Sequence, residues 1–488
     1  MTFERTEPRD SELWAKTYAA VTDARDAADA YIAQGKWIPR SKRIKVDAFD
    51  SGWPHFHSPL FPADDDPIDY SQIFGRQIAN LTPLDYASAP ALEAFLEYIE
   101  SRKDLHPRLT VLPKDGGEAR WLDIEAVSLP LSLLERSRDL GQESEAEILA
   151  MYLEREAAWL EPSLPVEYWV PLCLTGIELD DVFVIDEVAR IETLTPQWQE
   201  ARAPGDWTIS AVPNVVAGAA THALVVGPYS LDNPGPFPRM ISRKRDTLPL
   251  DTIDHYFDAL RVADRVRTGY AQILQRPLGW ADSWTRDLPT LSQVALLRRY
   301  PETMDNYGWL TRSRPISSET LGELPRISQA LSDATARTKV AVHRLSLTDL
   351  RTREDDRTID ACIGIEALVG EGRDELTHKM ALRAAAALSA RDEDPLDAIV
   401  IFRLIKTVYA HRSKVVHGAP DSYKTAELEF QGTKLPTADW AEEILRQLVR
   451  EFLLRPSPWT AEALDTHILS RLNHVSLEGP DDEPTADK

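Results

Sequence analysis

The stretch DAIVIFRLIKTVYAHRSKVVHGAP, Asp397 to Pro420, decides how the C-terminal half of this chain is read. Ile401, Ile405, Val408 and Val415 recur at helical spacing, and Leu404 and Tyr409 widen the apolar stripe. Gly418 and Pro420 supply the stop. Arg412 falls where the stripe predicts another apolar residue, four after Val408 and three before Val415. Its guanidinium is therefore expected to face the core or a partner rather than open water. His417 lies in the last turn, where the helix carbonyls have no partners, and that position suits a histidine that holds or passes a proton. From Ala398 to Pro420 the segment contains Arg403, Lys406, Arg412 and Lys414 and no carboxylate.

A second segment supplies an acid. In DDRTIDACIGIEALV, Asp355 to Val369, the residues Ile359, Cys362, Ile363 and Val369 make an apolar face with Glu366 on it. A carboxylate on a core stripe needs a cation or several donors, because burying it alone is costly. Arg412 has the complementary need. Two helices packed so that Glu366 pairs with Arg412 satisfy both.

The run DDRTIDACIGIEALVGEGRDELTHKMALRAAAAL, 355–388, followed by IFRLIKTVYAHRSKVVHG, 401–418, resembles the Apea-like HEPN domain family. Such domains are helical and carry an R-x4-6-H motif, here Arg412-Ser-Lys-Val-Val-His417. The likeness covers about Leu321 to Pro420 and extends less clearly into the helices after it. It implies a metal-independent endoribonuclease in which Arg412 and His417 are catalytic and Glu366, Ser413 and Tyr409 support them. It also implies a homodimer through the helical domain, with two motifs facing one cleft, and the biology of a toxin or anti-phage effector. Ser413 follows the arginine where catalytic members of the family often carry Asn, Asp or His. The alternative is a HEPN-like dimer that binds RNA, a nucleotide or a protein without turnover.

Composition narrows the partners. The chain has 488 residues, a net charge of −24 and 43% apolar content, which is ordinary for a globular protein of two to four domains. So acidic a surface repels nucleic acid and anionic lipid on average. Any RNA contact is then expected to be local, through Lys406 and Lys414. Cys173 and Cys362, the two cysteines, stand far apart in apolar segments. That argues against a disulfide framework or a cysteine-based zinc site and fits a reducing cytoplasm. The opening MTFERTEPRDSELW lacks the apolar core of a signal peptide, and no run approaches the ~20 apolar residues of a membrane span.

Taken in order, the chain predicts an α+β N-terminal region, 1–245, followed by a mainly α-helical HEPN-like domain, 251–475, and an acidic disordered tail, 476–488. Helices are expected at Asp10–Gln34, Ala91–Arg102 and Glu143–Leu160. Strands are expected at Leu109–Leu112, Ala119–Ile124, Val166–Leu174, Val182–Leu194, Trp207–Val216 and His222–Val226. Asn233–Pro249, with four prolines and the basic run Arg243-Lys244-Arg245, reads as a linker. Beyond Asp251 the pattern is helical: Thr252–Arg267, Leu288–Tyr300, Ile327–Arg344, the two segments above, Ala438–Leu454 and Thr460–Leu472. The N-terminal region is expected to sense a signal that the residues do not name.

Other chemistry is less well supported. His55 and His57 have the spacing of two ligands on one strand face, but no cysteine lies near, and no metal is expected. Neither a Walker A loop nor a glycine-rich dinucleotide fingerprint occurs, and no cofactor is expected. RNA brings its own nucleophile, the 2′-OH. A histidine can move the protons and an arginine can hold the phosphoryl oxygens.

Overall fold

The computed structural model describes every residue except 1–4, 58, 76–82, 103, 106–117, 204–211, 234–247, 313, 372–375, 392–396, 419–426, 431–432, 456, 458 and 473–488. The expected strand Leu109–Leu112, the Arg243–Arg245 run and the tail 476–488 lie outside the described residues. Two compact units emerge: Met1–Ile253 with Tyr270–Arg298 and Tyr307–Pro315, and Asp254–Gly269 with Arg299–Asn306 and Ile316–Lys488. The expected division near residue 250 is therefore replaced by one in which the chain returns to the first unit twice. The first return is made by strand pairing between distant segments, and the second by Ser51 and Trp53, which donate to the carbonyls of Trp309 and Thr311.

The first unit is built on a six-stranded sheet. Its strands are β3 (Ser163–Pro171), β4 (Val182–Val184), β5 (Ala189–Thr193), β6 (His222–Asp232), β7 (Tyr270–Pro277) and β10 (Ser292–Arg299), in the order β10-β7-β3-β6-β5-β4. A hairpin of β1 (Lys45–Ala48) and β2 (Pro54–His57) and a short pair, β8 (Trp284–Thr285) with β9 (Leu288–Pro289), stand apart from it. The central strand β3 pairs antiparallel with both β6 and β7. It is buried along nearly its whole length, so both faces of this antiparallel strand are covered over most of it. Trp169, Val225 and Leu274 meet across these three strands in one fully buried cluster.

Helices complete the unit: α1 (Ser11–Ile32), α2 (Tyr70–Ile73), α3 (Pro90–Ser101), α4 (Glu118–Leu140), α5 (Glu145–Leu160), α6 (Pro196–Ala201) and α7 (Asn214–Gly218). α1 packs on α3 and α4. Ser144 and Glu147 form a reciprocal capping box at the start of α5.

Several expectations are corrected here. Ala119–Ile124 belongs to α4, not to a strand: it opens a 23-residue helix whose apolar residues recur at helical spacing. Val182–Leu194 is a hairpin rather than one strand, because the Asp186 carboxylate accepts from the N–H groups of Val188 and Ala189 and turns the chain. Of Trp207–Val216, residues 207–211 lie outside the described set, and Asn214–Gly218 is helical. Leu288–Tyr300 is not a helix. Ser292–Arg299 is the edge strand beside β7, so pairing overrides the helix propensity of its Ala, Leu and Arg residues.

The second unit is mainly helical: α8 (Leu250–Ala263), whose first turn belongs to the first unit, α9 (Ser318–Ser332), α10 (Ala336–Leu350), α11 (Glu354–Val369), α12 (Leu376–Ser389), α13 (Ala398–Val416), α14 (Thr437–Leu454) and α15 (Ala461–Leu472). A small hairpin, β11 (Glu427–Phe430) with β12 (Thr433–Pro436), precedes α14. The single helix expected at Ile327–Arg344 is two, because Thr335 caps α10 by accepting from Thr338 N–H.

α11 is the hub, packed on α10, α12, α13 and α14. Cys362, Ile365 and Val369 are fully buried in it. Arg357 reaches Asp439 at 2.7 Å and Glu442 at 2.6 Å on α14. Arg383 of α12 donates to the Val369 carbonyl at 3.0 Å and so satisfies one of the last carbonyls of α11. The tightest approach is at Gly364, where a Cβ would stand 2.7 Å from both Cδ atoms of the fully buried Leu445.

That approach yields a test of what positions α11. Gly364→Ala should destabilise the protein by about 1–3 kcal/mol through overpacking. Leu445→Ala in the same chain should recover part of that deficit. Thermal melts of the four proteins measure the coupling, and strictly additive effects would mean that Gly364 and Leu445 do not share that space.

Candidate functional site

Asp397 starts α13 by accepting from Val400 N–H at 2.9 Å. Ile401, Leu404, Ile405, Val408 and Tyr409 then form its buried face. The opposite face is a straight exposed stripe of Arg403, Lys406, Ala410, Ser413, Lys414 and His417, at the three- and four-residue steps that align side chains along a helix. Among the described residues, none of Arg403, Lys406 and Lys414 has an ion-pair partner. Lys406 lies 5.5 Å from the centre of the Phe402 ring, which His378 meets edge-on at 5.2 Å. In a chain of net charge −24, this is a local field of the opposite sign.

His417 is the C-cap. Its N–H donates to the Ser413 carbonyl at 3.0 Å and its side chain is exposed. Gly418 follows at φ +64°, the left-handed position that closes a helix, with its N–H on the Val415 carbonyl. The expected stop at Gly418 is thus observed, and Pro420 lies outside the described residues.

Arg412 sits on the α11 side of α13, half-buried, and its Nε is shielded from water without a hydrogen-bond partner. Glu366 is also half-buried. Its carboxyl is raised above the usual range because burial disfavours the charged form, while the Arg412 guanidinium pulls it back down. Cys362, between them and buried, is pushed up to about 12 by burial and by Glu366, with Arg412 opposing. The sequence thus brings Glu366 and Arg412 together on facing helices. The expected direct pair is nonetheless corrected: no contact ion pair joins them among the described residues, and the coupling acts through space. Each side chain keeps part of its hydration, so close pairing is not compulsory.

Tyr409 takes a role other than binding phosphate. It is buried, and its hydroxyl donates to the Cys362 carbonyl at 3.1 Å and lies 3.5 Å from Met380 Sδ. It ties α13 to α11 and α12. Ser413, one turn further on, is exposed, so its hydroxyl meets solvent where that of Tyr409 does not. Arg412 and His417 diverge as well, since five residues turn a helix by roughly 140° beyond a full revolution. Arg412 points to α11, and His417 ends the exposed stripe. Arg403, not singled out by the motif, extends that stripe by almost three turns and could have been found by following the exposed rather than the apolar period.

Elsewhere, His55 and His57 project from the β1–β2 hairpin with ring centres 3.9 Å apart, and His57 Nε2 is 3.3 Å from Asp47. Among the described residues no group of three or more His, Cys, Asp or Glu side chains is placed to hold a metal ion. No helix among them is long and apolar enough to cross a membrane. Compared with protein-family models, with curated proteins and with solved structures, the chain matches none.

The raised carboxyl of Glu366 has a defined sign. The folded state holds this proton more tightly than the unfolded chain does, so its contribution to stability falls as pH rises from the ordinary carboxylate range through the raised value. Glu366→Gln should therefore melt at or above the wild type at pH 8 and show no such decline. Arg412→Met should melt lower, and its deficit should shrink in the Glu366→Gln background. Equal deficits in both backgrounds would mean that the two side chains are uncoupled.

Proposed function

We propose that the protein is a metal-independent endoribonuclease of the HEPN type, working as a homodimer through its helical unit, with toxin or anti-phage defence as its setting. The observation that carries this reading is the cationic face of α13, without ion-pair partners among the described residues, with His417 at its open end and the guanidinium of Arg412 on its other flank, coupled to Glu366. A polyanion finds there a line of positive charge that a chain of net charge −24 does not offer on average.

In this reading His417 takes the proton of the RNA 2′-OH as that oxygen bonds to phosphorus. Arg412 holds the non-bridging oxygens as charge accumulates on them. The P–O5′ bond then breaks, and the leaving oxygen receives a proton. The products are a 2′,3′-cyclic phosphate end and a 5′-OH end. One histidine does not serve both oxygens, so the second proton comes from His417 of a second copy. Because a guanidinium supplies the charge stabilisation, no divalent ion is needed.

The divergence of Arg412 and His417 around the helix favours a second reading, in which the same face binds RNA as a dimer without turnover. Purified protein incubated with total cellular RNA in EDTA separates the two. The nuclease reading expects cleavage with cyclic phosphate ends, reduced about 10²–10⁴-fold in His417→Ala and about 10²–10³-fold in Arg412→Ala. Bound but intact RNA would support the binding reading. Folded variants that cleave like wild type would remove Arg412 and His417 from the chemistry.

A further inference from the structure

The first unit holds a cavity of about 320 Å³, large enough for an amino-acid-sized molecule. Ser132, Glu135, Arg136 and Asp139 of α4 form one wall, at positions i, i+3, i+4 and i+7 of a single helix face. The segment Ser41–Ile44 and the residues around Trp284 form the others.

Nearly every charge in this cavity has its own partner. Arg43 pairs with Asp139. Arg286 lies 2.9 Å from Glu200. Arg136 lies 3.0 Å from Glu154 and stacks 4.3 Å from the centre of the Trp284 ring. Two groups are left over, and they have opposite signs. Neither the Glu135 carboxyl nor the Lys42 ammonium has a hydrogen-bond or ion-pair partner among the described residues. Lys42 is exposed, and solvation accounts for it. Glu135 is half-buried, and a carboxyl that has lost part of its water and gained no donor is costly.

We propose that this cavity binds a small zwitterion, whose protonated nitrogen meets the Glu135 carboxylate and whose anionic group meets Lys42. The groups facing Glu135 agree with a cation there. Asp69 at the start of α2 and Asp139 on α4 add negative potential, Tyr70 is neutral, and Arg43 opposes them while held by Asp139. Burial and these two carboxylates push Glu135 up to about 7. An ammonium group seated on it restores the charged form. The cost of leaving this carboxyl without a donor is thus the source of affinity for a cation, and affinity should follow the ionisation of Glu135.

Calorimetry on the full chain tests this with three probes: ornithine, which carries both groups, putrescine, which carries only ammonium groups, and glutarate, which carries only carboxylates. Ornithine should bind best, and roughly tenfold more tightly at pH 8 than at pH 6, as a carboxyl titrating at about 7 requires. Glu135→Gln keeps the shape, removes a charge the fold leaves unpaired, and should weaken ornithine and putrescine at least tenfold while abolishing the pH dependence. Lys42→Ala should erase the advantage of ornithine over putrescine. No heat with ornithine at 10 mM would overturn the proposal, as would equal binding by Glu135→Gln or preference for glutarate.

Discussion

A guanidinium on an apolar helix stripe constrains everything around it. Arg412 continues the row of Ile405 and Val408, so α13 cannot press that row onto α11 without partly dehydrating the charge. Glu366 on α11 answers it with a carboxylate that is itself held above its usual range by burial. Among the described residues, neither charge is neutralised at contact distance. The arrangement stands because the two helices are fixed by other means: the Gly364–Leu445 approach, the Tyr409 hydroxyl on the Cys362 carbonyl, and Arg383 on the end of α11. Packing sets the distance, and the electrostatics follow from it.

The other face of α13 shows the same logic turned outward. Elsewhere in this chain most arginines of the cores are matched with acids, as Arg357 is with Asp439 and Glu442. Among the described residues, Arg403, Lys406 and Lys414 are left unmatched on one line. Unmatched charge of one sign along a helix does little for stability, since its members repel one another. It does draw an opposite charge, and in an acidic protein such a line stands out from its surroundings. The short reach of this field, about 10 Å at 0.1 M salt, confines it to that helix.

How far this could be read from the residues depends on how local each feature is. α13 was legible in both boundaries, because the Asp397 carboxylate caps its first turn and Gly418 closes its last in the left-handed conformation. The proximity of Glu366 and Arg412 was legible because both interrupt an apolar period. Where each side chain comes to rest was not, since that depends on how closely two helices approach. Tyr409 was expected to support the site, and the carbonyl 47 residues earlier that takes its hydroxyl was not legible in the local sequence. Ser292–Arg299 carries residues that suit a helix, and only β7 makes it a strand. The interleaving of the two units follows from pairings such as Trp169 with Leu274, which no local period announces. Glu135 was passed over for a similar reason. A carboxylate in a helix is ordinary until its neighbours leave it without a donor.

The central claim is that the line from Arg403 to His417 is where this acidic protein meets a polyanion. The salt dependence of binding to a single-stranded RNA measures it most directly. For the full chain, the logarithm of the binding constant should fall linearly with the logarithm of salt concentration. Lys406→Ala/Lys414→Ala should flatten the slope by roughly 1.4, about 0.7 for each phosphate that the double variant no longer neutralises. A slope unchanged by the double substitution, or RNA binding that salt does not weaken, would contradict the account.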